Sequence, residues 1–294
     1  MSLPPNVRSV RRALRQTARS AIIQWRVLAG SVSRRGLPDY VIIGAQKAGT
    51  TSLQKALARH PDVFRSLVKE VHYFDLHYDR GEAWYRAHFG TEPDRMRAAR
   101  PGHPIVTGEA TPFYLAHPMA AERAAQTIPD ARLIVLLRDP VERAYSQYAH
   151  EVRLGYEHAA IHDAFANELA LGPEAGRVGP TNMDAWTLSH RSYLYRGLYA
   201  EQLAAWSARF DADQFLILRS EDYFAEPVET LDQVCAFIGV RKVSDLPRPE
   251  AFDVHHNRGE PRAPLPLALR KQLEAYFAGP NRALEDLLGR KMGW

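Results

Sequence analysis

Apolar residues in this chain gather into short unbroken runs separated by stretches with helical spacing. Tyr40-Val-Ile-Ile43, Arg132-Leu-Ile-Val-Leu-Leu137 and Phe215-Leu-Ile-Leu218 read as strands buried on both faces, as in parallel sheets. Val71–Phe74 reads as a further short strand or extended segment. Spacings of three and four predict helices over Thr51–Arg59, where His60-Pro61 stops the run, and over Gly81–Phe89 and Met119–Thr127. More helices are expected from Pro140, a favoured first-turn residue, around Ala185, over Leu198–Phe210 and Pro227–Ile238, and at the C-terminus. Gly172, Pro173, Gly176, Gly179 and Pro180 predict a mobile loop over 171–180, and Pro247, Pro249, Pro261, Pro264 and Pro266 mark a second break. Alternating strands and helices predict an α/β chain: a single doubly wound domain over residues 39–294, its central parallel sheet flanked by helices.

Residues 1–38 read differently. Val7, Val10, Leu14, Ala18, Ala21, Trp25 and Leu28 form a helical stripe, and the segment holds eight arginines and no acid. Two readings fit this basic amphipathic segment. Its stripe packs on the body with the arginines in water, or it rests on an anionic membrane surface. No clean apolar core precedes a small-residue site, which weighs against a cleaved targeting peptide.

Composition narrows the function classes. With 46% hydrophobic and 24% charged residues the chain is globular rather than disordered. The formal charge of +4 belongs to the leader: the remainder has 30 basic against 34 acidic side chains, a net of −4. No nucleic-acid partner is implied. One cysteine, Cys235 in an apolar helix, excludes an internal disulfide, fits the core and suits a cytoplasmic enzyme. No apolar run reaches the ~18 residues of a membrane span. Metal is not expected: His255 and His256 are adjacent and cannot readily converge on one ion, and no carboxylate–histidine spacing of a zinc site occurs.

The candidate chemistry begins after the first strand, at Gly44-Ala-Gln46-Lys47-Ala48-Gly49-Thr50-Thr51-Ser52. A helix N-terminus behind a glycine-bearing turn offers unpaired N–H groups and a positive dipole end to an anion. The glycine spacing matches the nucleoside-triphosphate loop G-x-x-x-x-G-K-[ST], but Thr50 stands in the lysine slot and the lysine is Lys47. A second anion site follows the strand ending at Leu137. Arg138 opens onto the crevice where such sheets bind ligands, and Ser146 lies two helical turns further on. Two anion sites fit a nucleotide phosphorylated at two positions of its ribose.

With these motifs the chain resembles the sulfotransferases that use 3′-phosphoadenosine 5′-phosphosulfate (PAPS), particularly the heparan sulfate group. Gly44–Ser52 is similar to that family's P-loop-like 5′-phosphosulfate turn, and Arg138 with Ser146 to its 3′-phosphate site. The resemblance continues through Lys69-Glu70-Val-His72-Tyr-Phe-Asp75, Gly81-Glu-Ala-Trp84-Tyr85, Glu109-Ala110-Thr111-Pro112, Gly197-Leu-Tyr-Ala200 and the C-terminal Gly293-Trp294. It implies a PAPS-dependent transferase releasing adenosine 3′,5′-bisphosphate (PAP), with a carbohydrate or glycolipid acceptor. It also implies Glu70 as catalytic base, with His72 and Asp75 beside it in the acceptor site. Arg258-Gly259-Glu260 lines up with a nucleotide-contacting Lys-Gly-Arg, and Arg262 is the candidate substitute for the displaced arginine.

Sulfuryl transfer needs a cation at the leaving phosphate, a role that fits Lys47. It also needs a base for the acceptor hydroxyl or amine. Strand alternation would place Glu70 and His72 on one face, and His72 is the rival base. Trp84 and Thr111 join the acceptor-site candidates, with Arg191, Tyr195 and Arg196 further out. Ala110 stands where the heparan sulfate group has a lysine, which leaves a polyanionic acceptor open. Two alternatives remain: a magnesium-dependent nucleotide kinase or NTPase with a variant loop, and a non-catalytic module that binds PAP.

Overall fold

The computed structural model describes residues 5–28, 35–99, 104–173, 185–253 and 263–294. Arg258, Gly259, Arg262 and most of the expected loop at 171–180 lie outside them. Five parallel strands form one sheet: β1 Tyr40–Gly44, β2 Val63–Arg65, β3 Val106–Ala110, β4 Arg132–Leu137 and β5 Phe215–Arg219, in the order β2-β3-β1-β4-β5. β1 is wholly buried and β4 nearly so, as their unbroken apolar runs require. The chain leaves β1 toward β2 on one side and leaves β4 toward β5 on the other. The carboxyl ends of these two neighbours therefore flank the crevice where doubly wound sheets take ligands.

β2 and β3 were not predicted as strands, and Val71–Phe74 is no strand. Tyr73–Leu76 is one helical turn, preceded by left-handed backbone at Glu70 (φ 60°) and His72 (φ 56°). A pleat cannot pass through such residues, so alternation is not what relates the two side chains.

The helix Pro5–Leu28 also departs from the packing expectation. Ile23 is buried and Arg26 donates to the Ala87 carbonyl at 2.7 Å, which turns an arginine-bearing face inward. Ala18, Ala21, Trp25 and Leu28 of the expected stripe face outward, with Trp25 65% and Leu28 86% exposed. A second apolar cluster joins the helices Pro140–Leu154, Ile161–Leu171 and Leu267–Leu288 beside the main core. Cys235 is buried, and burial pushes its thiol up to about 12, which makes it inert core. Among the described residues no helix is long and apolar enough to cross a membrane.

Candidate active site

The turn after β1 is tied to β4 where the Ala45 N–H meets the Leu136 carbonyl at 2.7 Å. From there the chain makes a tight bend with Lys47 at φ 72° and Gly49 at φ 100°. At Gly49 a side chain would be strained by that φ and would also press on the Phe224 ring, 2.9 Å from a Cβ. Gly49 caps the helix Thr50–Leu57 without any side-chain hydrogen bond, and its carbonyl takes the Ser52 and Leu53 N–H groups at 2.9 and 3.1 Å. Gln46 Oε1 is buried without a partner among the described residues. Thr50 and Ser52 are buried in the first turn, Ala48 is buried beneath the loop, and Thr51 is half-buried.

Arg138 leaves the end of β4 and donates to the Lys47 carbonyl at 3.1 Å, joining the two expected anion sites. Glu142, one turn along the next helix, lies 3.9 Å from the same guanidinium and also holds Arg270 at 2.5 Å. Half-buried Ser146 is one turn further on the same face. Asp139, at the position where a magnesium enzyme would want a ligand, accepts the Val141 and Glu142 N–H groups as the N-cap.

Glu70, His72 and Asp75 form a chain. His72 Nδ1 meets Asp75 Oδ2 at 2.7 Å, and Nε2 lies 4.0 Å from Glu70 Oε2, so the expected proximity holds through a turn rather than a pleat. Asp75, expected in contact with acceptor, is buried behind His72 and also accepts the Leu76 N–H at 2.6 Å. Burial opposes protonation of His72, yet the Asp75 hydrogen bond and the charges of Asp75, Glu70 and Glu109 outweigh it and hold the imidazolium above its ordinary range. Its stabilising charge is therefore fully present below the unfolded value and lost as pH rises through the folded one. Asp75→Asn lowers the His72 midpoint in an NMR titration; a midpoint unmoved or raised would contradict the pairing.

The backbone beneath this chain is held by Glu109, a buried carboxylate on β3 missed as a site residue. It accepts Thr111 Oγ1 at 2.7 Å, Tyr85 OH at 2.9 Å, Tyr114 OH at 3.0 Å and the Val71 N–H at 3.4 Å. Burial raises its pKa against the pull of these bonds. Thr111 is thus fully buried under the segment, and its hydroxyl also receives the His72 N–H at 3.4 Å. Trp84 packs on Tyr73, His77 and His88 and takes the Arg80 cation on its ring at 5.4 Å.

Two further residues border the site. His150 is pushed down to about 4 by burial, then by Lys47 and Arg153, and is drawn the other way by Glu70. It therefore lies within electrostatic reach of both the loop lysine and Glu70. Arg196 is buried, its guanidinium 4.8 Å from the Phe113 ring and lowered to about 9 by burial and Arg143, against the attraction of Glu151, Asp75 and Glu70. His150 carries no local sequence signal, because its place depends on packing between distant segments, whereas Arg196, an expected outlying acceptor-site residue, is buried.

The sulfotransferase domain family matches residues 37–255. The chain belongs to that family. Among curated relatives, this sulfotransferase is 31% identical to heparan sulfate glucosamine 3-O-sulfotransferase 6 of Mus musculus, over 91% of this chain and 76% of that protein. It is 27% identical to the membrane-associated sulfotransferase kil1 of Dictyostelium discoideum, over 88% of this chain and 66% of that one. Among solved structures, a sulfotransferase from Alicyclobacillus acidocaldarius superposes with a TM-score of 0.62 at 30% identity, covering 87% of this chain and 98% of the other.

Proposed function

We propose that this sulfotransferase moves the sulfuryl group of PAPS to a hydroxyl, or amine, of a carbohydrate or glycolipid acceptor. The observation that carries the reading is the meeting of two chemistries at the carboxyl ends of neighbouring strands: the Lys47 loop leaves β1, and the Glu70–His72–Asp75 chain is held by the Ala110 carbonyl at the end of β3, which pairs with β1. The glycine-capped start of the helix Thr50–Leu57 suits the 5′ end of the nucleotide, and Arg138 with Ser146 suits the 3′-phosphate. When bound, PAPS supplies an activated sulfuryl group. Glu70 takes the acceptor proton as the new O–S bond forms, and Lys47 meets the charge on the bridging oxygen as the old S–O bond breaks. His72, held by Asp75, orients beside Glu70.

The mouse relative's name specifies a glucosamine unit of heparan sulfate, which supports a sugar acceptor for this chain too. The decisive experiment offers radiolabelled PAPS and a glycan panel to the enzyme and identifies the labelled product. Turnover of ATP with magnesium in place of sulfate transfer would overturn the reading. Arg138→Ala is expected to weaken PAP far more than AMP by calorimetry, since its guanidinium answers the 3′-phosphate; equal losses would refute two separate anion sites.

The outward apolar face of the first helix supports attachment to an anionic membrane surface, with the buried thiol in keeping with a cytoplasmic setting. Full-length enzyme should float with phosphatidylglycerol liposomes, and the exposed pair Trp25→Gln, Leu28→Gln should abolish flotation. Flotation undiminished in that variant would remove the attachment.

A further inference from the structure

A groove of about 620 Å³ lies between the first helix and the body, within the ~300–1,000 Å³ usual for ligand sites. Arg19 and Arg26 enter it from the helix and Arg35 from the segment that follows, while Lys55, Arg65 and Lys69 enter from the body. Phe64, Leu67, Val68 and Phe89 add an apolar bed beside these cations. Charge inside the groove is not balanced. Its one carboxylate, Asp94, is engaged in capping the helix Glu92–Ala98 through Thr91, and only Lys69 has a further acid, Glu70, as its ion-pair partner. Such a lining suits an amphiphile with an anionic head better than a ligand that is polar throughout.

Two buried polar atoms of the lining, Arg35 Nε and Gln54 Oε1, have no hydrogen-bond partner among the described residues. Arg35 is only 8% exposed, and its guanidinium is fixed by donation to the Phe89 carbonyl at 2.6 Å. The nitrogen calls for an acceptor, best an anion, and the amide oxygen for a hydroxyl or amine donor. Burial pulls Arg26 and Arg35 below their ordinary range, and Arg26 depresses Arg35 further, a cost that a bound anion relieves. The helix itself indicates where such a ligand comes from. Arg19, Ile23 and Arg26 share its inward face, whereas Ala18, Ala21, Trp25 and Leu28 face outward. A helix ~10–12 Å across, sunk ~5–10 Å into a bilayer surface by its outer face, brings its far side level with the headgroups. The groove beside it then lies at the depth of the lipid phosphates.

We propose that this groove holds the headgroup of an anionic glycerophospholipid, its phosphate against Arg35 and a headgroup hydroxyl against Gln54. The proposal rests on the membrane reading of the first helix and adds headgroup selectivity to it. A choline headgroup is disfavoured, because its cation meets like charge and it brings no donor for Gln54. Arg19, Arg26 and Arg35 precede residue 37, where the family match begins, so the shared domain does not supply them. The site is independent of the transfer chemistry, whose Lys47 and His72 do not line it.

The test titrates the full-length protein in a calorimeter with short dihexanoyl lipids below their micelle concentration. Dihexanoyl phosphatidylglycerol should bind one to one, at least ~10-fold more tightly than dihexanoyl phosphatidylcholine or sn-glycerol 3-phosphate. Arg35→Gln should weaken it by ~10-fold or more. So should Lys55→Ser with Arg65→Ser, two exposed positions. Lys242→Ser with Lys271→Ser, exposed lysines outside the lining, removes the same charge and should leave binding at the wild-type value. Equal affinity for the two lipids, or an equal loss in the two lysine-bearing pairs, assigns binding to diffuse surface charge and overturns the proposal. Glycerol phosphate bound as tightly as the lipid also overturns it and gives the groove to a soluble phosphate. A loss in Arg35→Gln accompanied by a lowered melting temperature, with none in Lys55→Ser, Arg65→Ser, overturns it too. Failure of the membrane reading looks different: Trp25→Gln, Leu28→Gln then floats as wild type does, while the short phosphatidylglycerol still binds through Arg35 and upholds the groove.

Discussion

Replacing Glu70 by glutamine lowers turnover at least ~100-fold, within the range a positioned general base contributes, and leaves PAP affinity at the wild-type value. Glutamine keeps the size and shape of the side chain and removes its capacity to take a proton, together with the charge that pairs with Lys69 and His72. The backbone that carries it is fixed independently: the Glu70 N–H meets the Ala110 carbonyl at 3.0 Å, and Glu109 grips the next amide. The loss should therefore fall on kcat rather than on nucleotide binding. His72 makes the instructive contrast. Its Nδ1 is committed to Asp75 and its Nε2 faces Glu70, so His72→Gln should cost less and displace the pH profile. Steady-state kinetics beside calorimetry separates the two, and unchanged turnover in Glu70→Gln would remove Glu70 as the base.

Lys47→Met should lower kcat by about 10²–10³, as the loss of one preorganised charge at a developing oxyanion does elsewhere. The methionine retains bulk and leaves the loop's Arg138 bond in place, because that bond uses the Lys47 carbonyl. Lys47→Arg is not expected to rescue: a planar fork differs in reach and shape from a compact ammonium. A substrate with a better leaving group should depend less on Lys47, and single-turnover measurement with two donors tests this. Equal losses with both donors would assign Lys47 to ground-state binding.

What could be read from the sequence followed the physics of each segment. β1 and β4 declared themselves because both faces are buried, and β5, an edge strand with only Leu218 buried, because its run is apolar. The turn with Lys47 and Gly49 was legible as a strand-to-helix bend because its left-handed backbone calls for glycine at a fixed place. β3 was not, since its Thr107 and Glu109 are polar yet buried. Thr107 is satisfied by the Phe64 carbonyl at 2.8 Å and Glu109 by tyrosines from distant segments. β2 has three residues, too few for any period. The segment from Glu70 to Phe74 takes a turn instead of the expected strand, because its shape is imposed by Glu109, Thr111 and Tyr114 rather than by local preference. For the first helix the stripe left two directions open, toward the body or toward a membrane surface. Burial of Ile23 and the carbonyl anchoring of Arg26 decide which way it faces.

Among the described residues four non-glycine positions have positive φ, and three of them are Lys47, Glu70 and His72. Each such conformation costs roughly 1–3 kcal/mol, which the rest of the fold must offset. Glycine at Lys47 or Glu70 would relax the backbone and raise the melting temperature while deleting a side chain proposed for the chemistry, whereas at His72 it would leave the buried Asp75 carboxylate unpaired. A laboratory evolution campaign that rewards heat resistance alone would drift toward those glycines and breed sturdy, inert enzymes, so selection for robustness here must be coupled at every round to a sulfation readout.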